Sequence, residues 1–370
     1  MAFNGLKPAV TDGKVSLLTG IRDNFARLAT LFQGGAGGDT TIPTNAKRID
    51  NDGTTYYWNG SAWTSIGTIA PPVATVTPWL GDWTPVTLND FLKDVAFGNN
   101  TFLIALNSGS YYSKNGTTWT PVSVSGDWEG CTYGEGLFVM VGTSASSKVT
   151  TSPDGVTWTT RLLTGDGVWL SVCYGNGLFV AVSGGPGSDK VITSPDGITW
   201  TVRSAGGNDD YWYDVVYGNG LFVAVGSGPS TDRCMTSPDG TTWTVRTITG
   251  DNDSWTSITY GNGLFVAVGS SGDRVATSPD GITWTVRSAI GDNDTWRCVE
   301  YGNGIFVALG SSGDRCMTST DGITWSVRGA AGDNDEWTGI AYGNGLFVGV
   351  GETTLLDHVM IANTGLAIID

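Results

Sequence analysis

A ten-residue phrase, Tyr-Gly-Asn-Gly-Leu-Phe-Val-Ala-Val-Gly, occupies Tyr217 to Gly226 and returns unchanged at Tyr260 to Gly269. Close copies begin at Tyr133, Tyr174, Tyr301 and Tyr342, and a degraded one begins at Phe97. Successive starts lie 36, 41, 43, 43, 41 and 41 residues apart. A period near forty residues is the mark of a repeat architecture, in which each unit buries its apolar face only against its neighbours. The repeat therefore separates scaffold residues from those left over for function.

One unit shows what each repeat folds into. Trp255 to Tyr260 alternates as a first strand, Gly261-Asn262-Gly263 turns, and Leu264 to Val268 is a short apolar strand. Ser270 to Asp273 is a loop, Arg274 to Ser278 a third strand, Pro279-Asp280-Gly281 a second turn, and Ile282 to Arg287 a fourth strand. Four short antiparallel strands per forty residues make the blade of a β-propeller. The spacing predicts an all-β protein, a seven-bladed propeller over residues 79–370. Asp82 to Val86 is the favoured outer strand of the last blade over Gly365 to Asp370, closing the ring and removing sheet edges.

Two regions precede the repeats. In residues 1–38, Leu18, Ile21, Phe25, Leu28 and Phe32 form a heptad stripe on a helix predicted over 14–32, ended by Gly34-Gly35. So short a stripe is marginal alone and is expected to dock on a partner or on copies of itself, or else to pack against its own chain. In residues 39–78, Thr55 to Trp63 reads as a hairpin with Asn59-Gly60 as a two-residue turn, followed by a stiff Pro71-Pro72 link.

Composition excludes several function classes. The net charge of −16 opposes binding to nucleic acid or to an anionic membrane. Cys131, Cys173, Cys234, Cys298 and Cys316 are odd in number and form no CxxC pair, so they read as small core residues, not a disulfide frame. The lone histidine, His358, makes a zinc site or a histidine-based triad a poor fit, and no phosphate-binding or dinucleotide motif is present. Neither metal nor cofactor is expected.

Ser-Pro-Asp-Gly-x-Thr-Trp recurs at Ser152 to Trp158, Ser194 to Trp200, Ser237 to Trp243 and Ser278 to Trp284, with variants at Ser319 to Trp325 and Ser113 to Trp119. It resembles the Asp-box of sialidase-type propellers, shortened by one residue between Asp and Gly. The resemblance implies the propeller fold and a folding role for the motif. A sialidase also needs converging arginines. Arg161, Arg203, Arg246, Arg287 and Arg328 instead repeat with the outer strand, as edge charges do.

The remaining polar richness lies between units. Asp210, Asp251, Asp253, Asp292, Asp294, Asp333 and Asp335 precede Trp212, Trp255, Trp296 and Trp337. Arg274 and Arg315, which open third strands, share that face. Carboxylates, amides and indoles together suit a glycan site, because sugars stack on indoles and hydrogen-bond to acids, whereas Ca²⁺, which also takes oxygen ligands, is disfavoured by the lack of EF-hand spacing. The blander reading is capped turns with Trp packed between blades.

The layout resembles bacteriophage virion proteins, where a short N-terminal segment docks on the particle and a β domain points outward. Leu18 to Phe25 is similar to the start of such appendage proteins, and Tyr56 to Trp63 to a hairpin of fibre proteins. The resemblance implies a non-enzymatic tail-fibre, head-fibre or decoration protein assembled in the host cytoplasm. Its partners would be other virion proteins, with a host-surface glycan as a candidate ligand. The alternative is a sialidase-like or other glycoside hydrolase acting on host polysaccharide.

Overall fold

The computed structural model describes residues 47–49, 54–58, 61–68, 75–88 and 90–369, apart from the short stretches 144–148, 164–166, 186–188, 207–210, 229–231, 249–253, 271–273, 289–294, 312–314, 331–335 and 353–358. Every described regular element is a β-strand. The helix predicted over 14–32, with Leu18, Ile21, Phe25, Leu28 and Phe32, lies outside the described residues.

The chain divides into two compact units, residues 1–76 with 368–370, and residues 77–367. The first contains a three-stranded antiparallel sheet of Lys47–Ile49, Thr54–Trp58 and Trp63–Thr68. The expected hairpin is present, but Trp58 pairs with Trp63. Four residues therefore connect the strands, which corrects the two-residue Asn59-Gly60 turn.

The second unit is a propeller of antiparallel four-stranded blades. Trp255–Gly261, Leu264–Gly269, Arg274–Ser278 and Thr285–Ser288 make one of them, in sequence order from the inside outward. The outer strand begins at Thr285, because Asp280 to Trp284 is occupied by the turn motif. Leu264 to Val268 is apolar on both faces since a neighbouring sheet covers each. Val223, Val225, Phe265 and Ala267 are fully buried in one such layer, with Trp255 and Trp284. Burying one Phe of this kind contributes about 2–3 kcal/mol.

The strands form six sheets around the ring, not seven separate blades, which corrects the expected count. Two long strands join the first two repeats into one six-stranded sheet. Thr101–Ser113 covers the second and third strand positions of the first repeat, and Thr120–Gly134 continues from its outer position into the inner strand of the next. The first repeat interval, 36 residues against 41 to 43 elsewhere, is the cause. Its connecting loops are too short to interrupt the hydrogen-bond ladder.

The last sheet closes with sequence from ahead of the repeats. Thr84–Val86 pairs with Val359–Ile369 through Val359↔Val86, Met360↔Pro85 and Ile361↔Thr84. Pro85 has no N–H to donate, which an outer strand tolerates. Trp83 packs in the cluster of Cys316, Phe347 and Met360, the slot that the motif Trp fills in other units. Thr75–Leu80 lies on the same strand further along.

The turn motif is a local device. In the unit at Ser152, Gly155 N donates to Ser152 Oγ (2.8 Å), Val156 N and Thr157 N donate to Asp154 Oδ1 (2.8 and 2.7 Å), and Trp158 Nε1 donates to Gly155 O (3.2 Å). The amides of Thr157 and Val156 hold the Asp154 carboxyl below the usual range, and the same pattern lowers Asp196, Asp239 and Asp280. The repeated arginines donate from Nε to the facing third-strand threonine, as Arg287 does to Thr277 Oγ1 at 3.1 Å. Burial pushes the Cys234 and Cys316 thiols up to about 12.

Candidate functional site

Each inner strand carries a β-bulge at the same place. The register shifts between Leu92 and Asp94, Trp128 and Gly130, Trp169 and Ser171, Trp212 and Asp214, Trp255 and Ser257, Trp296 and Cys298, and Trp337 and Gly339. A bulge leaves one residue unpaired and re-aims its side chain. The skipped residues are Lys93, Glu129, Leu170, Tyr213, Thr256, Arg297 and Thr338. All seven line a cavity of about 530 Å3, with Ser254, Ser270, Thr295 and Glu352. Within near-identical repeats, this one position carries six different residue types.

Two of the seven act as clasps. Thr256 Oγ1 donates to Trp296 O at 2.6 Å, and Thr338 Oγ1 donates to Leu92 O at 2.9 Å, tying each unit to the next. The others present chemistry. Lys93 Nζ lies 2.8 Å from Glu352 Oε1 and 3.7 Å from Glu129 Oε2. Burial disfavours the Lys93 charge, but the two carboxylates outweigh it and its pKa rises. Burial raises Glu129, with Lys93 opposing. Tyr213 accepts a hydrogen bond from Ser227 Oγ at 3.0 Å.

An adjoining cavity of about 230 Å3 shares all seven bulge residues and is lined as well by residues further along the inner strands, including Asp94, Ser171, Asp214, Ser257, Cys298 and Glu300. Asp214 ties three repeats together. Its Oδ1 accepts from Ser171 Oγ (2.7 Å) and Val215 N (2.8 Å), and its Oδ2 accepts from Ser257 Oγ and Ile258 N (both 2.9 Å). Asp94 accepts from Val95 N (2.8 Å) and Cys131 N (2.9 Å). Burial raises Asp214 even so, pushes Asp94 up to about 7 against the Cys131 and Val95 amides, and pushes Glu300 up to about 8. Among the described residues no group of His, Cys, Asp or Glu is placed to hold a metal ion.

Glu300 supplies a pH test. A carboxyl whose folded pKa lies above its unfolded value adds no penalty while protonated, and destabilises the fold as pH rises from the unfolded pKa through the folded one. Glu300→Gln is expected to melt close to the wild type near pH 4 and several degrees above it at pH 9. Equal melting shifts at both pH values would refute the burial of an ionisable carboxyl here.

The sequence-predicted site residues fall differently. Trp212, Trp255, Trp296 and Trp337 are 0–2 % exposed and pack in the layers between sheets. They are not open platforms for a sugar, which corrects that reading in favour of packing. Asp210, Asp251, Asp253, Asp292, Asp294, Asp333 and Asp335 lie outside the described residues. Arg274 and Arg315 open their strands opposite Ser288 and Gly329. The bulge residues were missed, although each directly follows one of the named Trp residues or Leu92. Their signal was variation at one position inside constant repeats.

The sequence matches no family model and no curated protein. Among solved structures, the chain is similar to "YCF48 bound to D1 peptide" (14% identity, TM-score 0.59, covering 82% of this chain and 100% of that one). It is also similar to a streptogramin B lyase (11% identity, TM-score 0.67, 78% and 98% covered). A virginiamycin B lyase from Staphylococcus aureus matches at 11% identity and TM-score 0.67, with 79% and 100% covered. The expectation of a protein without enzymatic activity is thereby corrected at the level of the fold, since lyases are built on it. At these identities the likeness establishes one thing about this chain, that it is a β-propeller.

Proposed function

We propose that the chain is a virion appendage or decoration protein whose N-terminal segment attaches to a particle and whose propeller presents the cavity ringed by the bulge residues, taken as its mouth, to a host-surface glycan. The observation that carries the ligand site is the ring of bulge residues. A scaffold that repeats itself elsewhere places Lys93, Glu129, Leu170, Tyr213 and Arg297 around one cavity. The half-buried Tyr213 and Leu170 supply the apolar wall that the buried Trp residues do not. The anchoring half of the reading rests on the heptad stripe from Leu18 to Phe32 and on the virion-like layout of the sequence. Deleting residues 1–38 is expected to leave the melting temperature unchanged and to abolish incorporation into particles. Incorporation of the truncated chain at the wild-type level would sink the anchor.

A second reading, a glycoside hydrolase, is favoured by the carboxyls of Glu300 and Asp94. Burial keeps a substantial protonated fraction of each near neutral pH, which a general acid requires. Release of reducing ends from host polysaccharide, lost in Glu300→Gln, would support it.

A further inference from the structure

We infer that the mouth cavity selects a saccharide bearing a carboxylate, and that Arg297 is the residue that selects it. This rests on the reading of the mouth as a glycan site and adds the chemical class of the ligand.

Two cations line the mouth among its described residues, and their situations differ. Lys93 is held between Glu352 and Glu129, with its side chain 15% exposed. Its charge is spent within the protein. The only described ion pair of Arg297 is a single contact of 3.9 Å from Nη2 to Glu336 Oε2, and the two side chains stay 44% and 53% exposed. A pair that long and that open contributes little, so among the described residues the guanidinium keeps its donors for a ligand. Arg carries five N–H donors in a planar fork that matches a carboxylate with two parallel hydrogen bonds. No other unit has a cation at this bulge except the neutralised Lys93.

The rest of the cavity suits the body of a sugar ring. Tyr213 accepts from Ser227, which leaves its own O–H to donate to a ligand, and Leu170 stands beside it at the next bulge. The volume of about 530 Å3 falls in the range of small-ligand sites. The net charge of −16 repels acidic polymers at long range, as it does nucleic acid, so selection of an acid form has to come from short-range contact. Recognition therefore depends on the one contact with Arg297.

The test uses the full-length protein and two uronic-acid oligosaccharides, an oligogalacturonate and an oligoglucuronate, each beside its carboxyl-reduced neutral counterpart. Calorimetric titration should show at least one acid form binding about tenfold or more tighter than its reduced partner, the scale of one charge-assisted hydrogen-bonded contact. Arg297→Gln should erase that preference while leaving weak binding of both forms, and Arg297→Lys should restore part of it. Thermal melting of each variant guards against misfolding, and an exposed Arg at a strand surface is not needed for the fold. Equal binding of acid and reduced forms, or a preference that survives in Arg297→Gln, overturns the inference and leaves the glycan reading standing. No binding of any form to a folded wild type at millimolar concentration overturns both.

Discussion

Removing residues 1–74 should leave the melting temperature of the propeller within a few degrees of the full chain, whereas removing residues 1–88 should lower it by roughly 10 °C. The difference lies in a few residues. Thr84, Pro85 and Val86 form the outer strand of the last sheet, and Leu80, Trp83, Val86 and Leu88 pack against its core and the neighbouring one. Burial of those four side chains is worth about 1–2 kcal/mol each. Without them the edge of Val359 to Ile361 is left unpaired, and an open edge invites association as well as melting. About 4 kcal/mol at 2–4 °C per kcal/mol gives the expected shift. Differential scanning calorimetry on both truncations decides it. A peptide spanning residues 75–90, added to the shorter protein, should recover part of the loss. Equal melting of the two truncations would mean that the ring does not depend on this closure.

The fold was legible in the sequence because a repeat writes the same message many times. The Tyr-Gly-Asn-Gly hairpins, the buried second strands and the turn motif each recur with the spacing their strands require. What was not legible was how units merge. The shortened interval between Phe97 and Tyr133 was visible, but its effect depends on whether two ladders meet in register, which no local pattern reports. The site was partly hidden for a related reason. Trp212 and Trp255 look like ligand platforms in sequence, since an indole beside acids suits a sugar. Burial decides their role, and both face a neighbouring sheet. The bulge that turns Tyr213 and Arg297 inward leaves no mark of its own residue type. Only comparison of one repeat with the next exposes it.

Gly261→Ala should be among the most damaging single-methyl additions in the chain, and Gly263→Ala, two residues away, should cost about half as much. The hairpin glycines interlock round the ring. A Cβ at Gly261 would lie 2.0 Å from Tyr301 Cγ, at Gly218 2.2 Å from Tyr260 Cγ, and at Gly343 2.1 Å from Phe97 Cγ, so the last repeat packs onto the first. Tyr301 has little freedom to retreat, because its ring already packs on Phe306 with centroids 4.6 Å apart. Overpacking at a fixed backbone costs about 1–3 kcal/mol and more where neighbours cannot yield, so a loss of about 3 kcal/mol is expected. At Gly263 nothing lies within 4 Å of the added carbon, and only its φ of +76° resists Ala, at about 1–2 kcal/mol. Gly329→Ala meets no atom within 4 Å and should change little. Denaturant unfolding of the three variants ranks them. The cause is then isolated by repeating Gly261→Ala in a Tyr301→Ala background, where the clash is gone and the loss should shrink by about half or more. If Gly261→Ala and Gly263→Ala destabilise equally, or if Tyr301→Ala gives no relief, the interlocking of glycine and tyrosine is not what holds adjacent repeats at their spacing. The recurring phrase would then be a turn signal alone.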